Sequence, residues 1–198
     1  MRQLYGAVGP GAYPVGDCYR TAWAAVLGLD DPELVPHFVQ ISIDNHGRAS
    51  SGWHDSRLVR QWLRLLPGDL DSMDAPVSWF VEFAEANELT TFPVVATVPS
   101  RAHPSFMHSI AWDAAQGKCL LDPADWDVVE PYRPDEVVDA AALCIGYEPE
   151  PEAAQRRWEA GDFALDPAPH IYLFPADAFA QTCQLQVRLI ASLSRFDR

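Results

Sequence analysis

The chain has 198 residues, 48% of them hydrophobic and 21% charged, which indicates one globular domain and excludes disordered, collagen-like and coiled-coil proteins. Acidic residues outnumber basic ones by 28 to 14, so we expect no nucleic-acid partner and favour a basic protein or peptide. No apolar run reaches the roughly 18 residues of a membrane span and no signal peptide is visible, so we expect a cytoplasmic protein with no membrane contact.

The first 17 residues are rich in Gly, Pro and Tyr and predict an ordered loop that leads into a helix. This helix is expected to begin at about Asp17 or Cys18, because apolar residues then recur at the spacing of one helical face. Gly28 supplies a stop at its C-terminal end. Cys18 is therefore expected in the first turn of a helix.

Three further helices are predicted before the sheet. The first is short and capped by Asp31, and a polar loop over residues 42–54 follows it. The next begins near Asp55 and ends before a Pro-Gly pair. The last has Asp74 as its cap and Pro76 in its first turn.

The hydrophobic period changes from helical to alternating after residue 89. Residues 176–195 fit either a helix or a strand, and we favour a helix. Helices followed by a mostly antiparallel sheet define an α+β fold class. The predicted strands are Phe92–Val98, Met107–Trp112, Lys118–Leu121, Ala142–Tyr147 and Ile171–Phe174, with a hairpin turn at Asp113–Gly117.

Cys18, His108 and Asp122 are the strongest candidates for a catalytic site. A thiol in the first turn of a helix feels the positive end of the helix dipole, which favours the nucleophilic thiolate. Counting outward from the hairpin turn places His108 and Asp122 nearly opposite each other. A carboxylate on one imidazole nitrogen leaves the other nitrogen to accept the thiol proton.

Residues 16–38, GDCYRTAWAAVLGLDDPELVPHF, resemble the nucleophile helix of papain-like cysteine peptidases, especially small bacterial and phage-encoded ones. The blocks Pro99-Ser-Arg101, His108–Trp112 and Leu121-Asp-Pro123 look like those of the same group and of bacteriocin-leader peptidases. The resemblance covers about residues 1–130. It implies a papain-like fold in which Cys18 is the nucleophile, His108 the proton shuttle and Asp122 the orienting carboxylate.

The chain departs from this family in two respects. Papain-like enzymes carry a Gln about six residues before the nucleophile for the oxyanion hole, but position 12 is Ala, and Gln3 is the nearest upstream amide. Residues 148–198 have no counterpart in the resemblance. We therefore expect a catalytic domain over 1–147 and an acidic C-terminal extension, 148–198, packed on the same domain.

The other chemistry-bearing residues are assigned lesser roles. His37 is interpreted as a structural residue, and His170, followed by Asp177, is the alternative base. No pair among the remaining histidines has the helical spacing of a zinc protease, so no metal and no cofactor is predicted. The residues expected to line a cleft are Trp53, His103 and Trp126, and Trp126 is expected to shield the His–Asp bond from water. The residues considered as possible metal ligands are His46, His54, His103, Asp44 and Asp55.

These residues predict a cysteine hydrolase that cleaves a peptide or isopeptide bond in a protein or peptide substrate. Deamidation and acyl transfer remain open, because both use the same acyl-enzyme intermediate. A different class also remains open: a catalytically silent member of the fold that binds a protein through its acidic C-terminal part. The absence of Gln at position 12 favours this second class, and the presence of all three triad residue types disfavours it.

Overall fold

The computed structural model describes residues 16–46, 52–66, 70–102, 106–124 and 130–145. The predicted strand Ile171–Phe174, the ambiguous segment 176–195 and the extension 148–198 lie outside these residues. The helices within the described residues are α1 Cys18–Val26, α2 Phe38–His46, α3 Gly52–Leu63 and α4 Val77–Ala86. The strands are β1 Leu70–Ala75, β2 Pro93–Pro99, β3 Met107–Asp113, β4 Lys118–Leu121 and β5 Asp139–Ile145, and single 3₁₀ turns cover Pro32–Leu34 and Pro134–Glu136.

The five strands form one sheet in the order β1-β5-β2-β3-β4, and every neighbouring pair is antiparallel. The strand β5 therefore lies between β1 and β2, although it comes last along the described chain. This arrangement confirms the predicted α+β class with an antiparallel sheet. Among the described residues, no helix has the length and apolarity that crossing a bilayer requires.

Helices cover both faces of the sheet, because side chains along each strand alternate between two apolar cores. On one face, Val95 and Ala111 pack with residues of α1 and α3. On the other face, Ile110 and Trp112 pack with Phe80 of α4. The sheet is thus the middle of three layers.

The end of α1 follows the sequence prediction. Gly28 adopts a φ of 67°, a left-handed conformation that glycine reaches without a steric cost. The N–H of Leu29 then returns to the carbonyl of Ala24 at 2.8 Å, which satisfies a carbonyl in the last turn of the helix. Asp31 caps the following 3₁₀ turn, also as predicted, by accepting a bond from the Glu33 N–H at 2.8 Å.

Two local predictions are wrong. Residues 42–46 and 52–54 of the predicted loop are helical, because α2 extends to His46 and α3 begins at Gly52, while residues 47–51 lie outside the described residues. The first turn of α2 is fixed by Phe38, whose ring packs edge-on against Tyr19 and Trp62, and this packing overrides the polar composition that follows.

Asp74 does not cap α4, because it lies within β1 and pairs with Ala141. Pro76 occupies the N-cap position of α4 instead. The sequence of β1, LDSMDA, has neither β-branched residues nor regular alternation. Its strand conformation comes from pairing with β5 along its whole length, which local sequence patterns cannot reveal.

Candidate active site

Cys18 is the first residue of α1, and Asp17 occupies the N-cap position before it. The helix start is held by Thr21, whose backbone N–H and hydroxyl both donate to the Asp17 carbonyl, at 3.0 and 2.9 Å. Cys18 is a half-buried free thiol. The thiol therefore lies at the positive end of the dipole of a helix that packs against β3.

His108 is the second residue of β3, and its side chain is buried. Its Nε2 lies 2.6 Å from Oδ1 of Asp122, the residue that directly follows β4. The Cys18 side chain also interacts with this ring, and the interaction raises the pKa of His108. Since Nε2 is bonded to Asp122, Nδ1 is the nitrogen left for the thiol.

A β-bulge between β3 and β4 sets the orientation of Asp122. Asp113 pairs with Lys118 and Trp112 with Cys119, but Ala111 pairs with Leu121, so Leu120 is an extra residue in β4. A regular register that paired Leu120 with Ala111 would place Asp122 opposite Ser109, on the face away from His108. With the bulge, Asp122 falls opposite Ile110 and on the same face as His108.

The charges of this group are interdependent. Burial disfavours the protonated ring, but hydrogen bonds and charge interactions with Asp122 and Cys18 outweigh it and raise the pKa of His108 to about 9. Burial also disfavours the Asp122 carboxylate, yet the bond from His108 holds its pKa below the usual value. At neutral pH the arrangement therefore favours an imidazolium at His108 beside an ionised Asp122 carboxylate.

Tyr132 covers the His108 side of the site. Its ring centroid lies 6.3 Å from that of His108, and its hydroxyl donates to the Pro99 carbonyl at 3.1 Å. The Arg101 guanidinium lies 4.0 Å from the Tyr132 ring centroid on its face. Tyr132 is only 5% exposed, so it excludes water from one side of the histidine.

Arg101 ties the segment around Tyr132 to the loop between β2 and β3. It donates to the carbonyls of Glu130 and Pro131 and to the Glu136 carboxylate. Burial raises the pKa of Asp122, and the bond from His108 lowers it. The positive charge of Arg101 also reaches Asp122 and lowers this pKa by a smaller amount. Arg101 therefore acts on both the cover and the carboxylate of the site.

A buried ion pair lies directly beside the nucleophile. Arg20 donates from Nε to Oδ2 of Asp17 at 3.1 Å, and its Nη2 lies 3.1 Å from the same oxygen. His37 faces this pair, and its Nδ1 accepts a bond from the Gln40 N–H at 3.3 Å. Burial and the nearby Arg20 charge lower the pKa of His37, so this ring is neutral at neutral pH.

The structure brings Cys18, His108 and Asp122 together. His37 lies at the entrance of α2, in keeping with the structural role expected of it. Trp53 is the second residue of α3 rather than part of a loop. The other residues predicted to line or complete the site, Gln3, His103, Trp126 and His170, lie outside the described residues.

The residues considered as possible metal ligands do not share one loop, because Asp44 and His46 belong to α2 while His54 and Asp55 belong to α3. Asp44 accepts a bond from the Gln40 side chain at 2.8 Å. Among residues 16–46, 52–66, 70–102, 106–124 and 130–145, no three His, Cys, Asp or Glu side chains form a group that could hold a metal ion.

Sequence reasoning missed Tyr132 and the Asp17–Arg20 pair. Tyr132 stands in a Pro-Tyr-Arg-Pro segment, where no periodicity marks a buried residue. The i, i+3 spacing of Asp17 and Arg20 is a detectable signal for a side-chain pair on a helix. Its position beside a candidate nucleophile makes that signal informative.

Comparison of the chain with known protein families, with curated proteins and with solved structures finds no match.

Proposed function

We propose that this protein is a cysteine hydrolase that cleaves a peptide or isopeptide bond. The observation that carries the proposal is the chain of contacts from a helix-terminal thiol to an imidazole and on to a carboxylate. Cys18 interacts with His108 and raises its pKa, and His108 bonds through Nε2 to Asp122 at 2.6 Å. Each residue has the partner that its role in thiol catalysis requires.

The order of the elements supports a papain-like fold. The nucleophile begins an N-terminal helix, and the base and its carboxylate follow on adjacent strands of an antiparallel sheet. This order, Cys then His then Asp, is the one that the sequence resemblance implies. The N-terminal helix packs against β3, the strand that carries His108, and so brings distant parts of the chain into one site.

In the proposed reaction, the Cys18 thiolate attacks the carbonyl carbon and forms a tetrahedral oxyanion. The His108 imidazolium then gives its proton to the amine as the C–N bond breaks, which leaves a thioester on Cys18. Neutral His108 next takes a proton from water, and the hydroxide attacks the thioester. Collapse of the second oxyanion releases the carboxylic acid and restores the thiolate and imidazolium.

The backbone N–H of Cys18, at the start of α1, is the proposed donor to the oxyanion, with Gln3 as a second donor. Helix N-termini stabilise negative charge through their N–H groups and dipole. Asp122 holds the His108 ring so that Nδ1 faces the thiol and also stabilises the imidazolium. We assign the chemistry to amide substrates because the proton on His108 is needed by a poor leaving group such as an amine.

Alkylation of the thiols tests the pair directly. Wild type and His108→Ala are treated with iodoacetamide between about pH 5 and 9, and each cysteine is followed by peptide mapping. Cys119, a half-buried free thiol on β4, serves as the internal reference. At about pH 6 we expect Cys18 to label on the order of 100 times faster than Cys119, because an ordinary thiol is almost fully protonated there.

In His108→Ala this advantage of Cys18 is expected to disappear, while labelling of Cys119 stays unchanged. Slow labelling of Cys18 in wild type, or equal labelling in both proteins, would overturn the proposal and favour a binding function. Reaction with p-nitrophenyl acetate then asks whether Cys18 accepts an acyl group. Hydrolysis, deamidation and acyl transfer are separated afterwards by identifying the product formed from peptide substrates.

A further inference from the structure

Asp17 stands at the N-cap of α1 but does not cap the helix. An aspartate in this position usually accepts a bond from an N–H in the first helical turn. Here the side chain makes no such bond and turns instead to Arg20. Both residues are buried, with Asp17 1% and Arg20 8% exposed. A buried carboxylate thus lies beside the nucleophile, and two nitrogens of the Arg20 guanidinium contact one of its oxygens.

The position that Asp17 leaves open is the one that the proposed reaction needs. A capping carboxylate would approach the N–H groups at the start of α1 and would place a negative charge beside the Cys18 sulfur. Such a carboxylate would accept from the N–H of Tyr19 or Arg20, in the same turn as the Cys18 N–H that is the proposed donor to the oxyanion. Its negative charge at this point would repel the oxyanion.

We propose that Arg20 is a positioning residue that holds the Asp17 carboxylate away from the start of α1 and keeps the oxyanion position open. This inference rests on the proposed function, because it assigns Arg20 a task in the same reaction. Arg20 itself does not contact the reacting atoms in this role. It acts through Asp17.

The surroundings of the pair support this division of roles. His37, in the segment that enters α2, interacts electrostatically with both members of the pair. The Asp44 carboxylate, within α2, also interacts with His37 and raises its pKa slightly. Burial and the charge of Arg20 lower the pKa of His37, so His37 does not supply a second cation at neutral pH. The charge of Arg20 thus neutralises that of Asp17. Its fork of donors fixes the direction of the carboxylate as well as its charge.

Two reactions of Cys18 separate this role from general damage. Alkylation by iodoacetamide needs the thiolate but forms no oxyanion. Acylation by p-nitrophenyl acetate needs the thiolate and passes through a tetrahedral oxyanion. The ratio of the two rates therefore measures the oxyanion position itself. We compare this ratio in wild type, Arg20→Gln, Asp17→Ala and the double variant Asp17→Ala/Arg20→Gln, with folding checked by circular dichroism.

In Arg20→Gln the carboxylate is released, and we expect acylation to fall by on the order of 100-fold, as for loss of an oxyanion donor, while alkylation falls less than about tenfold. In the double variant no carboxylate remains to occupy the position. Its acylation rate is expected to lie within about threefold of that of Asp17→Ala, because alanine does not cap a helix.

Equal loss of both reactions in Arg20→Gln, or no recovery in the double variant, would overturn the inference. If Arg20→Gln does not fold, Arg20→Lys replaces it, because lysine keeps the charge but not the fork of donors. The ratio of acylation to alkylation is then expected to fall, and an unchanged ratio would also overturn the inference. The His108→Ala experiment is independent of these variants: if it shows no Cys–His pair, the proposed function fails first.

Discussion

Asp122 shares a face of the sheet with His108 because a β-bulge leaves Leu120 unpaired and shifts the register of β3 and β4 by one residue. If Leu120 paired with Ala111, Asp122 would lie opposite Ser109, whereas the bulge places it opposite Ile110. The resulting contact of 2.6 Å is thus a product of a register shift at the edge of the sheet.

Insertion of one alanine between Leu121 and Asp122 should break this contact while leaving the hairpin paired. Asp122 would then lie opposite Ser109, on the other face of the sheet, and the pKa of His108 should fall well below about 9 because its bond to Asp122 is lost. Proton NMR of the imidazole ring measures the change. Deletion of Leu120, which leaves Asp122 opposite Ile110 in a regular register, is the control and should keep the pKa of His108 raised. An insertion variant that titrates like wild type would show that the register does not set the geometry.

The stability of the protein should depend on pH through His108. Its folded pKa of about 9 lies above the ordinary 6.5, so its contribution is complete below about pH 6.5 and is lost as pH rises through 9. The pKa of Asp122 is lowered from 3.8, so its contribution is present above about pH 3.8 and is lost on acidification. The pair therefore stabilises the fold most between these limits.

Urea unfolding of wild type and His108→Gln at several pH values checks this prediction. The free energy of unfolding of wild type minus that of His108→Gln should decrease by up to about 3 kcal/mol between about pH 6.5 and 9. His37→Gln gives a control of opposite sign, since the pKa of His37 is lowered and its contribution is lost as pH falls below about 6.5. A difference for His108→Gln that does not vary with pH would contradict the raised pKa.

The ring of Tyr132 should matter more to the site than its hydroxyl. Tyr132→Phe loses the bond to the Pro99 carbonyl and should cost about 1 kcal/mol of stability, with Cys18 alkylation unchanged. Tyr132→Leu also removes the ring beside His108 and beneath Arg101, and should slow Cys18 alkylation by on the order of tenfold. Equal alkylation rates in the two variants would show that the ring does not position His108.

Asp71 should be a major stabilising residue outside the site. Its buried carboxylate accepts bonds from Arg60 at 2.7 Å and from Arg64 at 2.7 Å, which fastens α3 to β1. Asp71→Asn should lower the free energy of unfolding by about 2 kcal/mol, less than for a fully buried pair because both arginines are partly exposed. Asp135→Asn, at an exposed ion pair with Arg133, is the matched control and should change it by less than about 0.5 kcal/mol.

The sequence predicts the part of the site that depends on short-range structure. Cys18 follows from helix periodicity, and the proximity of His108 and Asp122 follows from a short hairpin, whose counting holds to within two residues. The bulge at Leu120 leaves no trace in composition or alternation. Tyr132 reaches His108 through a tertiary contact, which no local pattern encodes.

The same distinction explains the fold. The strands β2, β3 and β4 follow one another along the chain and are found at nearly their predicted limits. The strand β1 depends on β5, about 70 residues away, and so was not recognisable from its own sequence. Local signals thus predict the hairpins, whereas long-range pairing decides the remainder of the sheet.

The central position of β5 has a consequence for how the protein is made. Translation delivers β1 and β2 to the growing chain before residues 139–145, the strand that joins them. Until those residues leave the ribosome, the edges of β1 and β2 that β5 will cover stay open, and such edges pair readily with other chains. A ribosome that stalls before residue 139 therefore leaves a fragment prone to aggregate, with the nucleophile already translated and the sheet that supports its base still incomplete.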